Sequence, residues 1–122
     1  MQYMLLIYDD ENVWASMPEE ERNAAYGEYF SYTNELREKG AFVAGDQLQP
    51  TAAATTVRVK KGEQVVTDGP FAETKEQLGG FYLVEADSAD EALAWAEKIP
   101  AARYGSIEVR PVVQVRAEAS SG

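Results

Sequence analysis

Asp68 and Lys75 stand seven residues apart in the run Asp68-Gly69-Pro70-Phe71-Ala72-Glu73-Thr74-Lys75-Glu76-Gln77-Leu78-Gly79-Gly80-Phe81-Tyr82. A carboxylate fixed on a rigid turn can accept a proton or hold a ligand, and such positioning is what a reactive site requires. On this reading Asp68 is the catalytic candidate, and Lys75 anchors an anion or keeps Asp68 ionised. Gly69-Pro70 supplies the rigidity, because proline fixes its own φ and glycine tolerates angles closed to other residues. The same run also reads as a purely structural turn, with Asp68 bonding downstream amides as in an Asx turn and Phe71 as its apolar anchor. Glu73 and Glu76 read as solvated flanking charges. Gly79-Gly80 lets the backbone approach a ligand or a neighbouring strand closely. It is not a phosphate loop, since neither the Walker pattern nor a following helix is present.

Other polar residues join this list as ligand-binding candidates. Tyr8 and Asp9 close the first apolar run, and Asp46 follows Gly45 at the end of the second. Arg103 and Arg110 can receive a carboxylate, and Arg103 also suits the negative end of a helix. Asp68 with Asp46 would suit acid–base work, or magnesium held with waters, if the two lie close. The pattern implies no resident cofactor or metal.

The chain has no His and no Cys. That removes thiol chemistry, the usual zinc and copper ligands, and the side chain most used for proton transfer near neutral pH. Any catalysis rests on carboxylates, Lys, Arg, Tyr, Ser or Thr. A formal charge of −10 with eleven scattered basic residues excludes nucleic acid and anionic membrane surfaces as partners. With 122 residues, 45% of them hydrophobic, the sequence fits one soluble domain that needs no staple. No stretch approaches the roughly 20 apolar residues of a membrane span. The start of the sequence lacks the positive leader of a secretory signal, so a cytoplasmic location is expected.

The elements that must position these residues follow from periodicity. Gln2 to Tyr8 is apolar on both alternating faces, which predicts a strand covered on both sides. Ser16 and Pro18, followed by Glu19-Glu20-Glu21, predict a helix start, with the helix running to Lys39 and Gly40 as a left-handed stop. Ala25, Tyr29, Tyr32 and Leu36, with Tyr26, Phe30 and Thr33 beside them, form a stripe expected to pack in the core. Ala41 to Leu48 predicts a short strand. Thr55–Lys61 and Gln64–Thr67 predict a hairpin, and Phe81–Glu85 another strand. Asp87 or Ser88 caps a second helix, Ser88 with Glu91 having capping-box spacing, and Ala89, Ala92, Leu93, Ala96 and Ile99 face inward with Trp95 at the edge. Pro100 ends that helix. Ile107 to Val115 is the last predicted strand, and 117–122 an expected disordered tail.

The order without the hairpin is βαββαβ, an α+β arrangement of ferredoxin-like type. One face of such a sheet is left without helices. The doubly apolar first strand therefore predicts a homodimer with two sheets face to face.

The Asp-Gly-Pro-Phe run, with Tyr3-Met4-Leu5-Leu6-Ile7-Tyr8, Val43-Ala44-Gly45, Thr55-Thr56-Val57-Arg58 and Pro100 to Pro111, is similar to the DGPF branch of the YCII-related proteins. The similarity spans residues 1–116 as a single domain. It implies a dimeric α+β barrel. Other members carry a His-Asp pair in a cleft and resemble muconolactone isomerase in fold; with no His here, that pair does not carry over. Members of this branch are often encoded beside extracytoplasmic-function sigma factors. Two readings of function follow. One is a small-molecule binder or enzyme, with a cleft near the Asp68 turn at a dimer edge and a small anionic ligand. The other is a non-catalytic regulatory dimer whose partner is such a sigma factor.

Overall fold

The structure, a computed structural model, describes residues 1–115; the expected tail 117–122 lies outside the described residues. Six strands and three helices follow in the order β1 (Gln2–Asp9), α1 (Glu11–Ser16), α2 (Glu19–Glu38), β2 (Phe42–Gln47), β3 (Thr55–Lys60), β4 (Glu63–Asp68), β5 (Gln77–Glu85), α3 (Ala89–Glu97) and β6 (Ser106–Pro111). Short 3₁₀ turns occupy Thr51–Ala53 and Pro100–Arg103.

The main sheet is antiparallel in the order β2-β5-β1-β6, the strand order of a ferredoxin-like βαββαβ unit. Strands β3 and β4 form a separate two-stranded sheet, the expected inserted hairpin. Lys61 and Gly62 both take positive φ (52° and 79°), the two-residue turn whose twist matches its flanking strands.

The pleat sorts β1 into two faces. Tyr3, Leu5 and Ile7 are buried beneath the helices, whereas Met4, Leu6 and Tyr8 are half-buried on the opposite face. Across the ladder Tyr82 and Val84 join the buried set, and Phe81 and Leu83 the open one. Tyr32 and Leu36 of α2 and Ala92, Trp95 and Ala96 of α3 close the core from above. Leu5 and Leu36 are fully buried, each contributing about 1.5–3 kcal/mol. Tyr32 keeps its hydroxyl satisfied by donating to the Trp95 carbonyl at 2.8 Å.

Several local expectations change. Residues 11–16 form a helix instead of a simple break, because the Asp10 carboxylate accepts from the Asn12 N–H and caps it. It stops because Met17 precedes a proline and turns extended (φ −69°, ψ 136°). Ser16 therefore ends α1 instead of capping α2, whose N-cap is Pro18. The stop at Gly40 (φ 71°) is as expected. In α3 Trp95 is buried along with Ala92 and Ala96, while Ala89 and Leu93, expected inward, are exposed. Strand β5 begins at Gln77, four residues early, so Gly79-Gly80 lies inside it. Strand β6 ends at Pro111, and Val113 and Val115 are exposed. Phe71 is 79% exposed and anchors nothing.

Candidate functional site

A cavity of about 390 Å³ opens between the helix-covered side of the sheet and α2. Its floor is Ile7 with Gly79, Gly80 and Tyr82; its far wall is Tyr29 and Thr33 of α2; Trp14 and Tyr26 close one side. Trp14 meets Tyr26 edge-to-face with centroids 5.3 Å apart, which sets α1 as a cover over this end. Glu11 ties that cover down. Its N–H donates to the Gln77 side-chain oxygen at 3.0 Å, and its carboxylate accepts from the Thr51 N–H (3.0 Å) and hydroxyl (2.5 Å).

Strand parity places Asp9 on the same side as Ile7, on the cavity wall. There β5 bulges, because Ile7 pairs with Gly80 and Tyr8 with Leu78, leaving Gly79 unpaired in the register. The bulge brings Asp9 Oδ1 within 3.3 Å of where a Cβ on residue 79 would stand. At Gly80 a Cβ would come 2.9 Å from the Asp46 carbonyl oxygen, so only glycine fits this floor without a shift. The Gly79-Gly80 pair is thus a close-approach device at a cavity.

Burial pushes the Asp9 carboxyl above the usual range for aspartate, and the charges of Glu76, Asp10 and Glu11 add to the effect. No hydrogen bond compensates it among the described residues. The phenols around it are also shifted up. Burial raises Tyr29, Tyr82 and Tyr104, and Tyr104 also feels the negative charge of Asp9. They are protonated donors at neutral pH. Thr33 donates to the Tyr29 carbonyl at 2.8 Å, so the 2.8 Å contact between Thr33 Oγ1 and the Tyr82 hydroxyl has Tyr82 as donor. That leaves a Tyr82 lone pair for a bound group. The guanidinium of Arg37 lies 4.7 Å above the Phe42 ring, and both side chains line the cavity.

The residues singled out from sequence are dispersed around this site. Asp68, Lys75, Tyr8 and Arg103 do not line it. Asp68 and Lys75 are exposed. The turn after Asp68 is held by Gly69 instead of an Asx bond: Gly69, at φ 92°, donates to the Ala54 carbonyl (2.7 Å) and accepts from the Thr56 hydroxyl (2.8 Å). Tyr8 lies on the open sheet face. Arg103 pairs with Glu28 at 2.7 Å and donates to the Pro100 carbonyl, tying the 3₁₀ turn to α2. Asp46 borders the cavity, but its register with Phe81 turns its side chain to the open face. Arg110 pairs with Glu108 at the sheet edge. Glu73 is exposed, while Glu76 is half-buried beside Asp9 and accepts from the Ser106 hydroxyl at 2.9 Å. No group of three Asp or Glu side chains gathers to hold a metal among the described residues, and none of the helices there is long and apolar enough to cross a membrane.

Sequence reading placed Asp9 at a strand end without distinguishing it from Tyr8, and parity with Ile7 was the available signal. Arg37, Tyr82 and Tyr104 carried no such signal, because only the fold brings α2, β5 and the segment after α3 to one cavity.

Residues 1–116 match the family model described as the YCII-related domain. An uncharacterized protein of Rhizobium meliloti (strain 1021) is 43% identical over 114 residues, which covers 92% of each chain. Among solved structures, the 5-chloro-2-hydroxyhydroquinone dehydrochlorinase TftG of Burkholderia phenoliruptrix AC1100, in complex with 2,5-dihydroxybenzoquinone, is similar with a TM-score of 0.54. It is 18% identical, and the alignment covers 94% of this chain and 96% of that one. This likeness is one of fold.

Proposed function

The chain belongs to the YCII-related domain family, and we propose that it binds a small ring compound in the cavity under α1, with Asp9 as the group that moves a proton on it. The observation that carries this reading is a half-buried carboxylate, raised in pKa and without a protein hydrogen-bond partner among the described residues, on the wall of an aromatic cavity. The volume lies within the range of small-molecule sites. A carboxyl whose pKa moves toward neutrality is better matched to general acid–base work than an ordinary aspartate. The phenols of Tyr29 and Tyr104 supply donors for charge that develops on a substrate oxygen. The ring ligand in the similar dehydrochlorinase structure supports a compound of this size. The sigma-factor reading gains no support from the fold or the cavity.

Dimerisation is part of the proposal. Met4, Leu6, Phe81 and Leu83 form an apolar open face, with Tyr8 at its end, and a second copy would cover it. Light scattering giving a monomer at micromolar concentration would remove this element alone.

The site is tested by thermal shift with a panel of phenols, hydroquinones, quinones and enol lactones, on wild type and on Asp9→Asn. At ligand concentrations about 100-fold above Kd, binding adds roughly 2.7 kcal/mol of stability. Wild type should respond to a subset of the panel, and the variant should respond less. A panel without any response, or identical responses in both proteins, overturns the reading.

A further inference from the structure

The cavity has unlike ends. Asp9 marks one, at the level of Gln77 on β5, and Phe42 marks the other, at the level of Val84. Allowing for the bulge, about six strand residues separate the two rows, or roughly 20 Å along the sheet. Arg37 stands over Phe42 and is the only cation among the described residues that line the cavity. Three carboxylates also line it, but they do not neutralise Arg37. Glu11 is taken up by Thr51, Asp46 turns to the open face, and Asp9 belongs to the opposite end.

Arg37 forms no ion pair among the described residues, whereas Lys98, Arg103 and Arg110 each pair with a glutamate. Most cations among the described residues are likewise unpaired, and what sets Arg37 apart is its place on the cavity lining. Its position in the last turn of α2 accounts for a positive charge there. It does not account for a guanidinium held over an aromatic ring on the cavity lining. Among the described residues its side-chain N–H donors make no hydrogen bond, which leaves the guanidinium able to receive a carboxylate through two parallel hydrogen bonds.

We infer that the ligand is an amphipathic organic acid, its carboxylate on Arg37 and its apolar or aromatic body running along Phe42 and Tyr82 toward Asp9. The inference rests on the cavity being the working site. It also assigns the anion anchor to Arg37, a residue of α2, instead of to Lys75 or Arg103. Chain length matters, because with the carboxylate on Arg37 a longer acid carries its far end further past Tyr82 toward Asp9.

The test uses 4-hydroxyphenylacetate, 3-(4-hydroxyphenyl)propionate and 5-(4-hydroxyphenyl)pentanoate, each beside its methyl ester. Binding is followed by calorimetry and by the fluorescence of Trp14 on wild type, Arg37→Gln and Arg37→Lys. The acids should bind wild type about 10-fold or more tighter than their esters, as a charge-assisted pair allows. Arg37→Gln should abolish that preference, and Arg37→Lys should keep part of it. The preference should also shrink with added salt. Arg37 is exposed, so the variants should fold, and circular dichroism checks that they do. Esters that bind as well as acids, or a preference that survives Arg37→Gln, overturn the inference and leave the cavity standing. If neither acids nor esters bind, the cavity reading falls with it.

Discussion

Asp9 and Asp68 are both strand-terminal aspartates, the last residues of β1 and β4, yet their surroundings differ in kind. Asp9 ends a central strand of the main sheet, with Gly79 and Gly105 packed against it and α1 following directly. Asp68 ends a two-stranded hairpin in which every residue but Thr56 is exposed. A rigid turn is present at Asp68, but no second layer covers it. A rigid turn fixes a carboxylate without covering it, whereas at Asp9 removal of water, with neighbouring negative charge, raises the pKa. It also divides the Asp68–Tyr82 run. Its first half shapes a surface turn, and its second half, from Glu76 to Tyr82, builds the floor and acidic edge of the cavity.

The strongest way to break this comparison is kinetic. On a substrate found by the panel, Asp9→Asn should lower turnover by about 10²–10⁴-fold, the usual contribution of a positioned acid or base. Asp68→Asn should leave turnover unchanged and stability within about 0.5 kcal/mol. Steady-state rates of the two variants with the same substrate decide it, and a reversed order would return the site to the hairpin turn.

Their glycine neighbours give a smaller, structural contrast. A Cβ at Gly105 would overlap the Tyr8 carbonyl oxygen and stand 3.0 Å from Asp9 Cβ. Gly105→Ala should therefore cost about 3 kcal/mol, toward the upper end for overpacking against backbone. Gly69→Ala meets open space and only the strain of φ 92°, so about 1–2 kcal/mol is expected. Urea unfolding of both variants measures this, and equal losses would mean that the Asp9 end is no more tightly packed than the hairpin. Tyr82→Phe should cost about 0.5–1.5 kcal/mol by removing the donor to Thr33.

Much of this architecture was readable in the residues. The alternation of β1, the Ser88–Glu91 cap and the hairpin are local signals that set their elements, and the α2 stripe holds at Tyr32 and Leu36, whereas Tyr26 and Phe30, expected beside them in the core, are exposed. The cap differs in one detail, for the Glu91 carboxylate accepts from the Asp87 N–H. The entry of β5 at Gln77 was not readable, because glycines argue against a strand unless their partners are known to approach closely. For the site, the Asp-Gly-Pro-Phe letters draw attention to Asp68, the helical stripe places Tyr29 in the core, and Arg37 carries no signal of its own. Their shared cavity depends on contacts between residues dozens apart in the chain, which periodicity does not report.

The finest test of the comparison is the pH dependence of stability. The folded state holds the Asp9 carboxyl above its ordinary value of 3.8, chiefly by burial. Between that value and the raised one, the folded protein binds more protons at this site than the unfolded chain does. Stability contributed by Asp9 therefore falls as pH rises through that window and stays at its lower level above it. Asn does not titrate, so Asp9→Asn should gain stability relative to wild type across the same window, with a constant difference above it. Carboxylates remote from Asp9 titrate alike in both proteins and cancel in the difference. Urea midpoints at half-unit steps from pH 3.5 to 7.5 give this difference curve. A curve that is flat, or that slopes the other way, would show that Asp9 is as well solvated as a surface aspartate, and the contrast with Asp68 would then collapse.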